Sequence, residues 1–181
     1  MKHLQRAILL LLLMGSASSL ALAAGLSSME TLQLKVGRQD IDQQSKILWQ
    51  RFGPFCEIAE WHPEVLSCTE GKEGGATFRT LSLKDGSKIK ERLLSSTPLS
   101  YDYAIVDSLL PVKNYHAAFS IASKGEELDI IWSASYDAAD GKSDSEARAA
   151  IDGVLREGMA SISSKLSDLN LKITPARASS Q

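Results

Sequence analysis

The side chains in this sequence that could carry chemistry are few and widely spaced. After residue 23, the chain of 181 residues contains two histidines, His62 and His116, and two cysteines, Cys56 and Cys68. None of the four stands at the i,i+4 or Cys-x-x-Cys spacing typical of a metal site. The sequence also lacks a Gly-x-Ser-x-Gly elbow, a phosphate-binding loop and a His-Glu-x-x-His motif. We therefore predict no catalytic residue, no metal site and no cofactor.

Both histidines have structural explanations that outweigh catalytic ones. His62 belongs to Trp61-His62-Pro63, where the proline disfavours helix at the preceding residue and so ends a short helix. His116 alternates with Tyr115 on a predicted strand, which favours packing on the surface or the sheet.

One charged pair could also do chemistry. Arg79 and Glu91 lie on adjacent predicted strands joined by the turn Asp85-Gly86, which allows a cross-strand pair. Pointing inward, the pair could orient a polar ligand group or act in acid–base chemistry. Pointing outward, it would be a solvated pair that stabilises little. The spacing leaves the orientation open, and we favour a structural role over a catalytic one.

Aromatic side chains alternate with small ones on three predicted strands, as Tyr115 does with Ala117 and Trp132 with Ala134. On a concave face this pattern leaves space, and phenol groups add polar contacts. Ordinary core packing explains it equally well. The predicted cavity residues are Tyr101, Tyr103, Tyr115, Phe119, Trp132 and Met159, with Arg79 and Glu91 as the polar pair.

A long amphipathic helix is predicted over 143–169, and it either covers such a cavity or only plugs the sheet and leaves no cavity at all. Its apolar residues recur at steps of three and four, and Ser143 with Glu146 predicts a capping box. Gly153 and Gly158 interrupt it, each at about 1 kcal/mol relative to alanine. They either allow close approach of the sheet or a ligand, or are tolerated irregularities.

Most of the preceding chain is predicted to form strands. We expect a strand at 31–38 and helices at 43–52 and 55–60. Period-two alternation then predicts strands at 65–70, 76–83, 88–95, 99–109, 115–123 and 128–137. A long amphipathic helix needs an apolar surface to pack on. The prediction is an α+β fold, a curved antiparallel sheet of about seven strands around the long C-terminal helix, with two short helices after the first strand.

The two ends of the chain are predicted to lie outside this domain. Lys2 and Arg6 precede an apolar run that leads to Ala21-Leu22-Ala23, the pattern of a secretory signal peptide at 1–23. The domain would span 24–169, and 170–181 would be mostly disordered. We expect a periplasmic protein. Removing the signal leaves 18 basic against 22 acidic residues, a net charge of −4, which argues against a nucleic-acid partner.

Several short sequence motifs follow one another along the predicted elements, namely Trp61-His62-Pro63, the run 75–79, Asp85-Gly86 followed by Glu91-Arg92, Leu110-Pro111-Val112 and Ile131-Trp132. These motifs and the order of elements resemble the START/Bet v 1-like (SRPBCC) superfamily, in its polyketide cyclase/dehydrase branch. The resemblance covers about 32–166 and implies a helix-grip fold with an apolar cavity between sheet and helix. The signal peptide and the two cysteines make the chain similar to exported MxaD-type proteins of methanol oxidation.

The resemblance implies a non-enzymatic binding or accessory protein. Its partner would be a hydrophobic small molecule or a periplasmic protein, either methanol dehydrogenase or its cytochrome c, with no membrane span. Two alternatives are a carrier of a hydrophobic small molecule or lipid, and an enzyme of the cyclase/dehydrase type.

We also predict a disulfide between Cys56 and Cys68, because the periplasm, to which the protein is expected to be exported, is oxidising. The corner at Trp61–Pro63 folds the chain back between them, and closing this loop contributes on the order of 3 kcal/mol. The alternative is two buried free thiols.

We predict that the exported protein begins near Ala24, because signal peptidase cleaves after the Ala-x-Ala pattern. N-terminal sequencing of periplasmic material checks this. Recovery of exported protein that still begins at Met1 would contradict it.

Overall fold

One antiparallel sheet, with three helices packed against it, forms the described part of the chain. The computed structural model describes residues 25–167 and 173–175. The strands are β1 (Leu26–Lys35), β2 (Val65–Glu73), β3 (Ala76–Leu83), β4 (Lys88–Thr97), β5 (Ser100–Asp107), β6 (Val112–Lys124), β7 (Glu127–Ala138) and β8 (Ile173–Pro175). The helices are α1 (Ile41–Phe52), α2 (Ile58–Trp61) and α3 (Asp144–Ser167). The strand order is β2-β3-β4-β5-β6-β7-β1-β8.

This architecture confirms the predicted fold class, an antiparallel sheet with two short helices after the first strand and a long helix near the C-terminus. The described sheet has eight strands where about seven were predicted. Within the described residues, no helix combines the length and apolar character needed to cross a membrane. The predicted signal peptide at 1–23 lies outside those residues.

One strand prediction is corrected, and one further strand is present. The first strand begins at Leu26, not at 31, because its N-terminal half pairs with β7. The polar–apolar alternation does not predict this half of the strand, because the polar Ser28 is buried whereas the apolar Met29 is 64% exposed. Ile173–Pro175, within the tail predicted to be mostly disordered, pairs with β1 as an eighth strand. The rest of that tail lies outside the described residues.

Helix α3 buries the predicted apolar stripe against the sheet, and its buried residues are Ala147, Ile151, Leu155, Gly158, Met159, Ile162 and Leu166. The capping box is confirmed. The backbone N–H of Ser143 donates to Glu146 Oε2 at 2.9 Å, and the N–H of Glu146 donates to Ser143 Oγ at 3.2 Å. These bonds satisfy donors that the first turn of a helix leaves free.

The predicted disulfide between Cys56 and Cys68 is present, with Cα atoms 5.4 Å apart. Cys56 lies in the turn before α2, because the short helix starts at Ile58 and not at residue 55. The bridge therefore fastens that turn to β2.

The two glycines of α3 have different roles. A Cβ atom at Gly158 would lie 2.6 Å from Trp132 and 2.8 Å from His62, whereas one at Gly153 would meet nothing within 4 Å. Gly158 is thus required by the close approach of the sheet and the Trp61–His62 corner. Gly153 is a tolerated irregularity.

We predict that Gly158→Ala and Gly153→Ala shift stability in opposite directions. The first should lower the free energy of unfolding by about 1–3 kcal/mol, because the added methyl group overpacks the aromatic corner. The second should raise it by about 0.5–1 kcal/mol, because alanine favours helix. Urea unfolding of both variants checks this. A shift of the same sign in both would contradict the assignment.

Candidate functional site

The site begins with a buried ion pair between neighbouring strands. Arg79 on β3 stands directly opposite Glu91 on β4. The two residues are 1% and 4% exposed, and Arg79 Nε donates a hydrogen bond to Glu91 Oε2. Both side chains therefore point into the interior, and the alternative of a solvated pair is wrong.

Aromatic rings and a backbone carbonyl enclose the guanidinium. Its Cζ atom lies 4.1 Å from the ring centre of Phe55 and 4.9 Å from that of Tyr103. Nη1 donates to the carbonyl oxygen of Phe55, and Nη2 has no hydrogen-bond partner among the described residues. Arg79 thus links two strands to the turn before α2.

The charge state of the pair follows from its surroundings. Burial acts to lower the pKa of Arg79, but Glu91, Tyr101 and Tyr103 together outweigh it and raise this pKa, so the cation persists. Burial raises the pKa of Glu91, and Arg79 opposes that shift. Because a buried cation needs a counter-ion, the pair behaves as one neutral unit.

A cavity of about 180 Å³ lies between the sheet and α3. Most of its wall is apolar, and the remaining side chains are acidic, phenolic, indole or imidazole groups. It is lined by Ile58, His62, Glu64, Val65, Leu81, Leu83, Asp85, Ile89, Glu91, Tyr103, Ile105, Leu110, Tyr115, Trp132, Ile151, Val154 and Glu157. For scale, an engineered apolar cavity of about 150 Å³ accepts benzene.

The structure divides the predicted cavity residues into two groups. Glu91, Tyr103, Tyr115 and Trp132 line the cavity. The others are buried in the packed core and do not line it, namely Arg79, Tyr101, Phe119 and Met159. A larger depression of about 730 Å³ on the outer face of the sheet contains none of the predicted site residues.

The phenols in the cavity are neutral hydrogen-bonding groups. Trp132 Nε1 donates to the hydroxyl of Tyr103 at 2.9 Å. Burial raises the pKa of Tyr103 well above its usual value and also raises the pKa of Tyr115. Neither hydroxyl therefore ionises near neutral pH to serve as a base.

His62 lines the cavity with both ring nitrogens already bonded. Nδ1 accepts from the backbone N–H of Glu64 at 3.2 Å, so Nε2 carries the proton and donates to the carbonyl of Val154 at 3.1 Å. Burial lowers the pKa of His62 below 6.5. This arrangement agrees with the structural role predicted for the Trp-His-Pro corner.

The sequence analysis missed the acidic side chains Glu64, Asp85 and Glu157, which are exposed at the edge of the cavity. They come from the turn before β2, the β3–β4 turn and α3, so no local spacing could group them. Among the described residues, no three His, Cys, Asp or Glu side chains are placed to hold a metal ion.

Comparison with known proteins places most of the chain in one family model. Residues 36–167 match the model described as polyketide cyclase / dehydrase and lipid transport. No curated protein gives a significant match.

Solved structures with the same fold come from several bacteria. The protein XoxI from Bacillus cereus has a TM-score of 0.67 at 24% identity, with 80% of this chain and 97% of that chain covered. The Zhui aromatase/cyclase from Streptomyces sp. R1128 has a TM-score of 0.58 at 11% identity over 76% and 88%. A START superfamily protein from Mycobacterium smegmatis has a TM-score of 0.59 at 9% identity over 79% and 98%. At these identities the likeness shows the fold alone.

We predict that Arg79→Leu lowers the free energy of unfolding by about 3–5 kcal/mol, because it leaves the Glu91 carboxylate buried without its partner. Adding Glu91→Leu should recover part of the loss. The control is Glu73→Gln, which breaks the exposed pair between Lys90 and Glu73 and should cost less than about 1 kcal/mol. Urea unfolding measures all three. A double variant less stable than Arg79→Leu alone would contradict the prediction.

We also predict that stability falls as pH drops from about 7.5 to about 5.5, in part through His62. Its folded pKa is lowered from 6.5. At pH values below the pKa of His62 in the unfolded chain, the unfolded chain binds a proton at His62 more readily than the folded protein does. Acid therefore favours unfolding. His62→Gln should flatten the pH dependence, whereas His116→Gln at an exposed position should not. An equal slope in both variants, measured by urea unfolding, would contradict this.

Proposed function

Because the chain belongs to the family of polyketide cyclase / dehydrase and lipid transport proteins, we propose that it binds a small hydrophobic molecule and does not turn it over. The observation that carries the proposal is the cavity under α3, with its largely apolar wall and a few buried polar groups. That combination is typical of small-molecule sites. At about 180 Å³, the cavity suits a ligand of about one substituted ring.

The bonding of the polar groups favours binding over catalysis. General acid–base chemistry needs a group that exchanges protons near the working pH. His62 uses both ring nitrogens in backbone contacts, and the phenols of Tyr103 and Tyr115 have raised pKa values. These groups position a ligand well and exchange protons poorly.

One observation favours the cyclase/dehydrase alternative. Glu91 lines the cavity, and its Oε1 accepts no hydrogen bond from the described residues, while Oε2 is held by Arg79. A carboxylate in that position could accept a proton from a bound ligand. Turnover of a small substrate that disappears in Glu91→Gln, with fold and ligand affinity retained, would establish the enzymatic function and overturn our proposal.

We further propose that the protein acts in the periplasm as an accessory to methanol oxidation. The support is the signal-peptide pattern at 1–23, the disulfide, and the resemblance to MxaD-type proteins. Methanol dehydrogenase or its cytochrome c would be the protein partner. A periplasmic carrier of a hydrophobic small molecule or lipid would use the same cavity without that partner.

Binding in the cavity is tested by calorimetric titration with phenylethanol, a neutral aromatic alcohol. Val154→Phe fills the cavity and should weaken binding by at least about tenfold, because the ring occupies the ligand volume. Val106→Phe is the matched control, since Val106 is 50% exposed and does not line the cavity. Equal affinity in the two variants would contradict the proposal.

The accessory function is tested by deleting the gene. Methanol-dependent respiration should slow while dye-linked methanol dehydrogenase activity persists, because an artificial acceptor bypasses electron transfer to the cytochrome. Normal respiration on methanol in the deletion strain would refute the accessory function. It would leave the carrier function standing.

A further inference from the structure

The charges that line the cavity all have one sign. Four carboxylate side chains, Glu64, Asp85, Glu91 and Glu157, contribute to its wall, and no lysine or arginine of the described residues does. Arg79 compensates Glu91 from outside the wall, within the aromatic core. A ligand that enters this space therefore meets the three uncompensated carboxylates of Glu64, Asp85 and Glu157 and no accessible cation.

The carboxylates at the edge of the cavity differ in the hydrogen bonds that they accept. Asp85 Oδ1 accepts from the backbone N–H of Ser87 at 2.9 Å and from its hydroxyl at 2.7 Å. Glu64 and Glu157 form no ion pair or side-chain hydrogen bond with the described residues. These two side chains are free to bind a cation at the opening.

Glu91 presents a further acceptor to the cavity. It is 4% exposed and lines the cavity, yet its Oε1 accepts no hydrogen bond from the described residues. Oε1 is not among the fully buried atoms that lack a partner, so it keeps some accessible surface, where a ligand that carries a donor would bond to it. The nearby faces of Trp132, Tyr103 and Tyr115 also attract positive charge.

We propose that the cavity selects small apolar molecules that carry a protonated amine, and rejects the corresponding carboxylates. This rests on the proposed binding function and adds the class of ligand. The apolar body occupies the cavity, and the ammonium group lies at the opening near Glu64 and Glu157. An ammonium group there gains charge-assisted hydrogen bonds. A carboxylate would lose its hydration beside groups of its own charge.

Three probes that share one aromatic body and differ in the end group test the proposal: phenylethylamine, phenylethanol and phenylacetate. Calorimetric titration at neutral pH and low salt should give the order amine, alcohol, carboxylate. We expect at least about a tenfold difference in affinity between amine and carboxylate. Higher salt should reduce the difference, because exposed charges are screened.

A double variant and a control variant test whether the ammonium group binds near Glu64 and Glu157. The double variant Glu64→Gln/Glu157→Gln should reduce the ratio of amine to alcohol affinity several-fold. Glu126→Gln, a control at an exposed acidic residue in the β6–β7 turn that does not line the cavity, should keep that ratio. An unchanged ratio in the double variant would overturn the proposed position of the ammonium group.

The outcomes separate this inference from the function on which it rests. If phenylethanol binds and the amine binds no tighter than phenylacetate, the amine selectivity is wrong and the binding function stands. If none of the three probes binds, both are wrong.

Discussion

A buried arginine sets the constraint on which the interior depends. Burying a cation is costly unless an anion and further hydrogen bonds compensate it. Glu91 supplies the anion from the opposite residue on β4, and the carbonyl of Phe55 supplies an acceptor from the turn before α2. The rings of Phe55 and Tyr103 cover the guanidinium. One side chain thereby holds two strands, a turn and part of the aromatic core in a single arrangement.

That arrangement also determines the polarity of the cavity. With Oε2 of Glu91 held by Arg79, the carboxylate is kept in one position at the wall. Trp132 fixes the hydroxyl of Tyr103 in the same way. Polar groups that are held rigidly can recognise a ligand with little ordering on binding. This preorganisation supports the binding function that we propose.

The long helix closes the cavity through one close contact. At Gly158 the backbone of α3 approaches Trp132, His62 and Trp61 so closely that no Cβ atom fits. The His62 ring also bonds the carbonyl of Val154, one turn earlier on the same helix. The Trp-His-Pro corner therefore positions the helix over the sheet. This explains why a histidine that lines the cavity has no free nitrogen.

Local patterns determined much of this protein. Alternation predicted β3 at its observed bounds, because period-two burial is a property of a single strand. The capping box at Ser143 and Glu146 and the pairing of Cys56 with Cys68 were likewise predictable from residue type and position. The sequence thus specified the fold class and the buried stripe of α3.

The tertiary structure alone decided how those faces combine into a site. The sequence could not orient Arg79 and Glu91, because charged residues on the buried face break the alternation that reports burial. It could not distinguish Gly153 from Gly158, since the difference lies in what packs against each. Glu64, Asp85 and Glu157 meet at one opening from three separate elements. Periodicity indicates which side of an element is buried. Which side chains from separate elements lie close together depends on strand register and on packing between segments far apart in the chain.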